Sequence, residues 1–332
     1  MLNRLEEAGI RLREFHWEDL PAFVAVRNRS FPDMPQTLAS VEHFERTYPP
    51  DNPRFRYAVE TAQGAYIGSG HCDVPFWLDA PGVYRFYALV DPDWRRRGIG
   101  QALLAHLEQY ARAQGAARLI SDCRENMADS LHFLERAGFR QFGLRFESML
   151  DLTAFDEARF VGAIDRVLEA GYELTTLAAE RQLNPGADRD LFEIELAVEP
   201  DVPWPGGLKA HLSFDDFRRI TLDGPASDPA AIFIAKREGI YAGYTALSFR
   251  SPGIGYTGMT GVRREHRGQG IALALKLLSF RVLKERGCTA TWTHNDTANQ
   301  AILALNQKLG YQKHPGILLW SKLLTPEHEV HS

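Results

Sequence analysis

Two short segments of the chain carry the residue types from which an anion site is built. Arg95-Arg96-Arg97-Gly98-Ile99-Gly100 and Arg267-Gly268-Gln269-Gly270-Ile271-Ala272 each set arginine and glycine just ahead of an apolar-periodic run. A glycine-rich loop that ends at a helix N-terminus presents unpaired backbone N–H groups and the positive end of the helix dipole. That arrangement suits a phosphate or pyrophosphate. Gly98, Gly100, Gly268 and Gly270 let an anion reach the backbone with no Cβ in the way, and Arg95, Arg96, Arg97 and Arg267 add forked donors that match phosphate oxygens. Neither segment closes with the Gly-Lys-Ser/Thr of a P-loop, and neither carries the Gly-x-Gly-x-x-Gly dinucleotide fingerprint.

A proton acceptor beside these loops would come from Glu265, His266 or His294 in the second half, or from His71, Asp73, Asp93 or Glu125 in the first. His294 leads, with Glu265 after it, because it ends a strand-like segment and histidine titrates near neutrality. The simpler reading of each is a solvated surface residue. Cys72, Cys123 and Cys288 are odd in number, widely spaced and free of CxxC pairing, and the histidines lack HExxH spacing. Reduced thiols and no metal site are expected.

The elements that hold these residues are written twice. Val90 and Val262, Arg95 and Arg267, Gly98 and Gly270, Ile99 and Ile271, Leu103 and Leu275, Gly115 and Gly287, and Gly138 and Gly310 all stand 172 residues apart. A shared offset over such a span marks a duplication. In the first copy, Val83–Val90 reads as a strand, Ile99–Ala113 as an amphipathic helix stopped by Gly115, 117–121 as a buried strand, and a further helix ends at Gly138-Phe139. The second copy repeats the order with strand 255–262, helix 271–286, strand 289–293 and a helix ending at Gly310-Tyr311.

Hairpin strands precede each copy, at 54–60 with 65–73 and at 231–236 with 240–249, and first strands are expected at 10–13 and 172–176. Helical periodicity over 152–170, ended by Gly171, predicts a linker helix. The expected plan is therefore an α/β protein with mixed α+β sheets: one domain over 1–151, a linker helix over 152–171, and a second domain over 172–332.

Both loops resemble the Arg/Gln-x-x-Gly-x-Gly/Ala acetyl-CoA motif of GNAT acetyltransferases. Leu134-Glu135-Arg136-Ala137-Gly138-Phe139 and Asn306-Gln307-Lys308-Leu309-Gly310-Tyr311 are similar to that family's second motif. The resemblance covers about residues 54–150 and 230–322, and the two-domain plan is similar to that of the mycothiol synthases. It implies two tandem GNAT domains that use acetyl-CoA to acetylate the primary amine of a small molecule, by direct attack on the thioester. The implied cofactor contacts are Val90, Arg95, Arg96, Arg97, Gly98, Ile99 and Gly100, and Val262, Arg267, Gly268, Gln269, Gly270, Ile271, Ala272 and Asn299. The strand ahead of each loop would pair with the pantetheine arm and offer a backbone N–H to the acetyl oxygen.

One departure stands out. The family often places a tyrosine, as acid for the leaving thiolate, where this chain has Leu134 and Asn306. Thr260-Gly261-Val262 and Asn295-Asp296-Thr297-Ala298-Asn299 match a pattern of tandem relatives in the second half alone, which favours that half as the catalytic one. Asn299 also reads as a plain helix cap. Two other readings stay open: a non-catalytic acyl-CoA-binding or scaffold protein, and an acetyltransferase acting on proteins or peptides. The net charge of −5 and sequence pI near 6.1 argue against a nucleic-acid partner. No apolar run is long enough to span a membrane, and residues 1–9 lack a signal-like core, so a cytoplasmic monomer or homodimer is expected.

Overall fold

The computed structural model describes residues 2–324 apart from 33, 34, 205, 207 and 252. In chain order its elements begin with α1 (Leu2–Glu7), β1 (Ile10–Glu14), α2 (Leu20–Ser30), α3 (Leu38–Thr47), β2 (Arg54–Thr61), β3 (Tyr66–Asp73) and β4 (Val83–Val90). They continue with α4 (Ile99–Ala113), β5 (Arg118–Arg124), α5 (Ala128–Arg136), β6 (Arg140–Asp151), α6 (Ala163–Glu169), β7 (Glu173–Thr176), α7 (Leu177–Leu183) and α8 (Ala187–Val198). Last come α9 (Phe214–Phe217), β8 (Ser227–Arg237), β9 (Ile240–Ser251), β10 (Ile254–Val262), α10 (Ile271–Glu285), β11 (Ala290–Asp296), α11 (Gln300–Leu309) and β12 (Gln312–Leu323). From β4 to β6 and from β10 to β12 the two halves share one order of strands and helices.

The chain forms two compact units, and neither is a continuous half. The first holds the chain up to Leu144, a short return ending at His211, and the chain from Pro315; the second holds Arg145–Trp204 and Leu212–His314. In the first unit the strand order is β1-β2-β3-β4-β5-β12, and in the second it is β6-β11-β10-β9-β8-β7. β12 runs antiparallel along β5 from Ile317↔Arg124 to Leu323↔Arg118, and β6 runs antiparallel along β11 from Arg145↔Asp296 to Asp151↔Ala290. The contact units thus differ from a linear cut at 151 and 172, because the last strand of each half completes the sheet begun by the other.

Segment 152–171 is not one helix. The Asp151 and Asp156 carboxylates accept from the Thr153 and Ala158 amides at 2.8 and 3.0 Å, holding turns where a helix would start. A 3-10 turn covers Glu157–Phe160, and α6 begins only after Gly162, whose φ is +72°. Phe160, Ala163 and Val167 are buried with Leu275 and Phe280, so this stretch belongs to the second unit's core.

Each core is set by helical periodicity against a sheet. In the first unit α4 buries Ile99, Leu103, Leu107 and Ala111 along one face. Gly70 on β3 makes room for it, since a Cβ there would stand 3.0 Å from both Leu103 and Leu107. In the second, α10 buries Ile271, Ala274, Leu275 and Leu283 on one side of the sheet, while Leu191, Ile194 and Val198 of α8 join a second cluster. Each buried leucine contributes about 1.5–3 kcal/mol.

Candidate active site

The site begins where a parallel strand pair comes apart. β4 and β5 pair only at Val83↔Arg118, Tyr84↔Leu119 and Arg85↔Ile120, and β10 and β11 only at Ile254↔Ala290, Gly255↔Thr291 and Tyr256↔Trp292. Beyond those pairs, Phe86–Val90 and 257–262 have no strand partner on that side among the described residues. An open strand edge offers backbone donors and acceptors to whatever extended group enters. Both units therefore carry a wedge that could take the pantetheine arm of a cofactor.

At the end of each wedge the loop turns into α4 or α10 in the same way. Gly98 and Gly270 cap the helices at φ +83° and +81°. Two residues earlier, Gly268 stands at +78°, but its counterpart is Arg96 at +65°. A side chain in that region costs about 1–2 kcal/mol, so the first loop holds strain that the second avoids. Arg95 Nε donates to Val90 O at 3.2 Å, and Arg267 Nε to Val262 O at 3.0 Å. These arginines tie the loop back to its strand.

The surroundings of the two loops differ. In the first unit, Arg96 and Arg97 are exposed: Arg96 lies 3.4 Å from Asp129, and Arg97 covers the Trp94 ring at 4.5 Å. The loop opens into a cavity of about 770 Å³ reaching past Val90, Ile99 and Gly100 to Arg27, Tyr87, Leu104, Asp122 and Leu134. Burial lowers the Arg27 guanidinium's pKa and raises the Tyr87 hydroxyl's to about 12. In the second unit Asp201 reaches the loop instead, accepting from Arg267 Nη2 at 2.5 Å and from Arg264 Nε at 2.9 Å. Hydrogen bonds from Arg264 and Arg267 hold the Asp201 carboxyl well below the usual carboxylate range.

The open strands differ as well. β3 and β4 pair without interruption from Gly68↔Val90 to Asp73↔Arg85. On β10, Thr257 faces Leu247 but Thr260 faces Thr245, so Gly258 and Met259 span a bulge with one residue too many. Such bulges re-aim the backbone beside a site. The Thr245 hydroxyl fixes this one, 3.2 Å from Met259 O and 2.8 Å from Thr260 Oγ1.

His294 lies on β11, two residues beyond its last pair with β10. Its Nδ1 is 3.0 Å from the Tyr256 hydroxyl and its Nε2 is 3.1 Å from Glu147 Oε1 on β6. Glu147 is buried at 1% exposure. A buried carboxylate on one ring nitrogen fixes the ring's orientation. In the first unit the residue 172 positions earlier is Asp122, which lines the open cavity. Asn295 lies next to His294 in a buried network, donating to Ser148 Oγ at 3.2 Å and accepting from Asn306 Nδ2 at 2.9 Å.

The remaining expected residues are ordinary. Glu265 is exposed on a 3-10 turn, Arg264–His266, with no side-chain partner among the described residues. Gln269 is exposed, Ile271 is core and opens α10, and Ala272 follows it in the first turn. Asn299 caps α11, its Oδ1 accepting from Ile302 N at 3.3 Å. Sequence reasoning missed Glu147, Tyr256, Thr245, Asp201 and Asp122. Only Asp122 and Tyr256 had a signal, through the 172-residue correspondence with His294 and Tyr84.

Comparisons with known proteins agree with this geometry. Two mycothiol acetyltransferases are similar over most of the chain. That of Thermomonospora curvata is 25% identical over 79% of this chain and 80% of its own length, and that of Thermobifida fusca 25% identical over 83% and 84%. A tandem GNAT protein from the clavulanic acid biosynthesis pathway has the same fold, with a TM-score of 0.73 at 21% identity, covering 96% of this chain and 99% of that one. A GCN5-related N-acetyltransferase from Sphaerobacter thermophilus superposes with a TM-score of 0.65 at 20% identity, covering 96% of each chain. The family description "Acetyltransferase (GNAT) family" matches residues 11–139 and 189–311, and so takes in both wedges with both loops. On these matches and this twofold wedge, the chain belongs to the GNAT acetyltransferase family, as a tandem member.

Proposed function

We propose that the protein transfers acetyl from acetyl-CoA to the primary amine of a small molecule, with turnover in the second unit. One observation carries the reading: His294 is braced between Tyr256 and buried Glu147 where β10 parts from β11. The amine must lose a proton to attack, and a carboxylate-braced imidazole beside an open strand edge is equipped to accept it. The bulge at Gly258 and Met259 takes backbone out of the ladder beside the same opening, where an N–H could meet the acetyl oxygen. Glu265, exposed and without a side-chain partner among the described residues, is the weaker candidate base.

The loop residues Arg267, Gly268, Gln269, Gly270, Ile271 and Ala272 would receive the pyrophosphate. The first unit, with its open cavity and Asp122 at the histidine's position, is read as a second acyl-CoA site that does not turn over. Relatives named for mycothiol acetylation support a small acceptor over a peptide. The test is thiol release from acetyl-CoA across a panel of small amines by the full chain and its His294→Gln variant. A loss of about 10²-fold or more in kcat, with CoA affinity retained, is expected. An unchanged rate in the variant defeats the reading.

A further inference from the structure

Leu104 on α4 and Leu134 on α5 line the first unit's cavity. Their counterparts on α10 and α11, 172 residues on, are Lys276 and Asn306. These polar side chains are as buried as the leucines they match, at 1% and 2% exposure. Lys276 has no carboxylate partner among the described residues; its Nζ sits 5.2 Å from the centre of the Tyr311 ring. Asn306 donates to Asn295, yet its own Oδ1 has no hydrogen-bond partner.

A buried, unpaired ammonium is costly, and a buried orphan acceptor adds to that cost. Leucine satisfies both positions in the first unit, so the fold does not demand polar groups there. The first cavity's Phe86 also gives way to Gly258 in the second unit. A donor and an acceptor kept without partners at positions whose counterparts line the first cavity point to a polar group that arrives with the ligand.

We propose that Lys276 protonates the CoA sulfur as it departs from the second unit. The inference rests on the reading of that unit as the site of turnover. The amine nitrogen adds to the thioester carbon, and the C–S bond breaks with its electron pair on sulfur. The Lys276 ammonium passes one proton to that sulfur, and His294 takes the proton that the nitrogen loses. Exchange with water resets both residues, so amine and acetyl-CoA give amide and free CoA. Lys276 thereby fills the role that neither Leu134 nor Asn306 can. Burial pushes its pKa down to about 7, which makes the ammonium a competent acid for a thiolate. Among the described residues the titratable side chain against it is Tyr311, which burial raises well above its ordinary value and so keeps neutral, and Thr257 and Thr291 beside that tyrosine carry no charge.

The test uses the full chain, acetyl-CoA and one small amine, comparing Lys276→Met with His294→Gln. Methionine preserves the length and apolar packing of the lysine stem, so the variant should fold and melt at a higher temperature near neutral pH. Unfolding lets wild-type Lys276 bind a proton between about pH 7 and the ordinary lysine value. Wild-type stability therefore rises with pH over that window, and the methionine variant should lack the rise. Its kcat should fall about 10- to 100-fold with little change in the KM for acetyl-CoA. The wild-type decline in rate above about pH 7 should vanish. A methionine variant with the wild-type rate and pH profile overturns the proposal. So does an acetyl group found on Lys276 by mass spectrometry after incubation with acetyl-CoA, since the lysine would then be an acceptor. If only His294→Gln is inactive, the role of Lys276 alone falls; if neither variant loses activity, the choice of the second unit falls first.

Discussion

At the penultimate residue of its open strand the first unit has Leu89, buried among Phe23, Val24 and Val26 of α2, whereas the second has Gly261, against which Val198 of α8 packs. The same contrast runs through both wedges. The first has an unbroken β3–β4 ladder, an open cavity floored by leucine and phenylalanine, and exposed loop arginines. The second has a one-residue bulge, buried polar side chains at Lys276, Asn306 and Thr291, and loop arginines engaged by Asp201. One duplicated frame thus carries two different sets of side chains: leucines at 104 and 134 in the first copy, and Lys276 and Asn306 at the matching positions of the second. Because the copies share a register, each serves as the other's internal control.

The sharpest way to break that comparison is to replace, one at a time, the residues at the shared position 122/294. His294→Gln should lower kcat for amine acetylation by about 10²-fold or more, while Asp122→Asn should change it less than about twofold. Equal losses would mean that both wedges turn over. Next in size is the pair 89/261. Leu89→Ala should cost about 2–5 kcal/mol by opening a cavity. Gly261→Ala should cost about 1–3 kcal/mol for the opposite reason, because its new Cβ would meet Val198 at 2.6 Å. Urea denaturation checks both, and a neutral Gly261→Ala would show that α8 yields readily.

A smaller effect is expected at the loop. Asp201→Asn frees Arg264 and Arg267, so calorimetric titration with CoA should find the second unit binding a few-fold more tightly, most visibly at low salt. No change would mean that the carboxylate does not compete with the pyrophosphate. The smallest effect concerns Arg96 at φ +65°: Arg96→Gly should raise stability by up to about 1 kcal/mol, offset by the extra freedom of glycine when unfolded.

Much of the frame was legible because its signals are local. Val83–Val90 and Ile99–Ala113 match the expected strand and helix end to end, since β-branched runs, helical spacing and a stop glycine act within a few residues. The glycine positions of both loops followed from their backbone geometry. β6 and β12 were not legible. Their partners lie far along the chain, and sequences such as Arg140–Asp151 blur the alternation a strand usually shows. The same distance hid the candidate site's polar partners. His294 could be chosen from its place on β11, but Glu147 and Asp201 reach their partners only through tertiary packing. Lys276 reads in sequence as a solvated lysine on an amphipathic helix, and only its alignment with Leu104 places it on a buried face.

The exchange of β6 and β12 also orders events in time. The first unit to leave the ribosome cannot finish its sheet until Ile317–Leu323 has been made, so β5 must wait through roughly two hundred residues of synthesis with an unpaired edge. A fragment cut at the repeat boundary would keep that edge permanently, with Leu119 and Cys123 losing the cover of Trp320. Tandem duplication usually yields modules that can be separated and reused. Here the two copies have become hostage to each other's final strand, and the pair is inherited, made and lost as one.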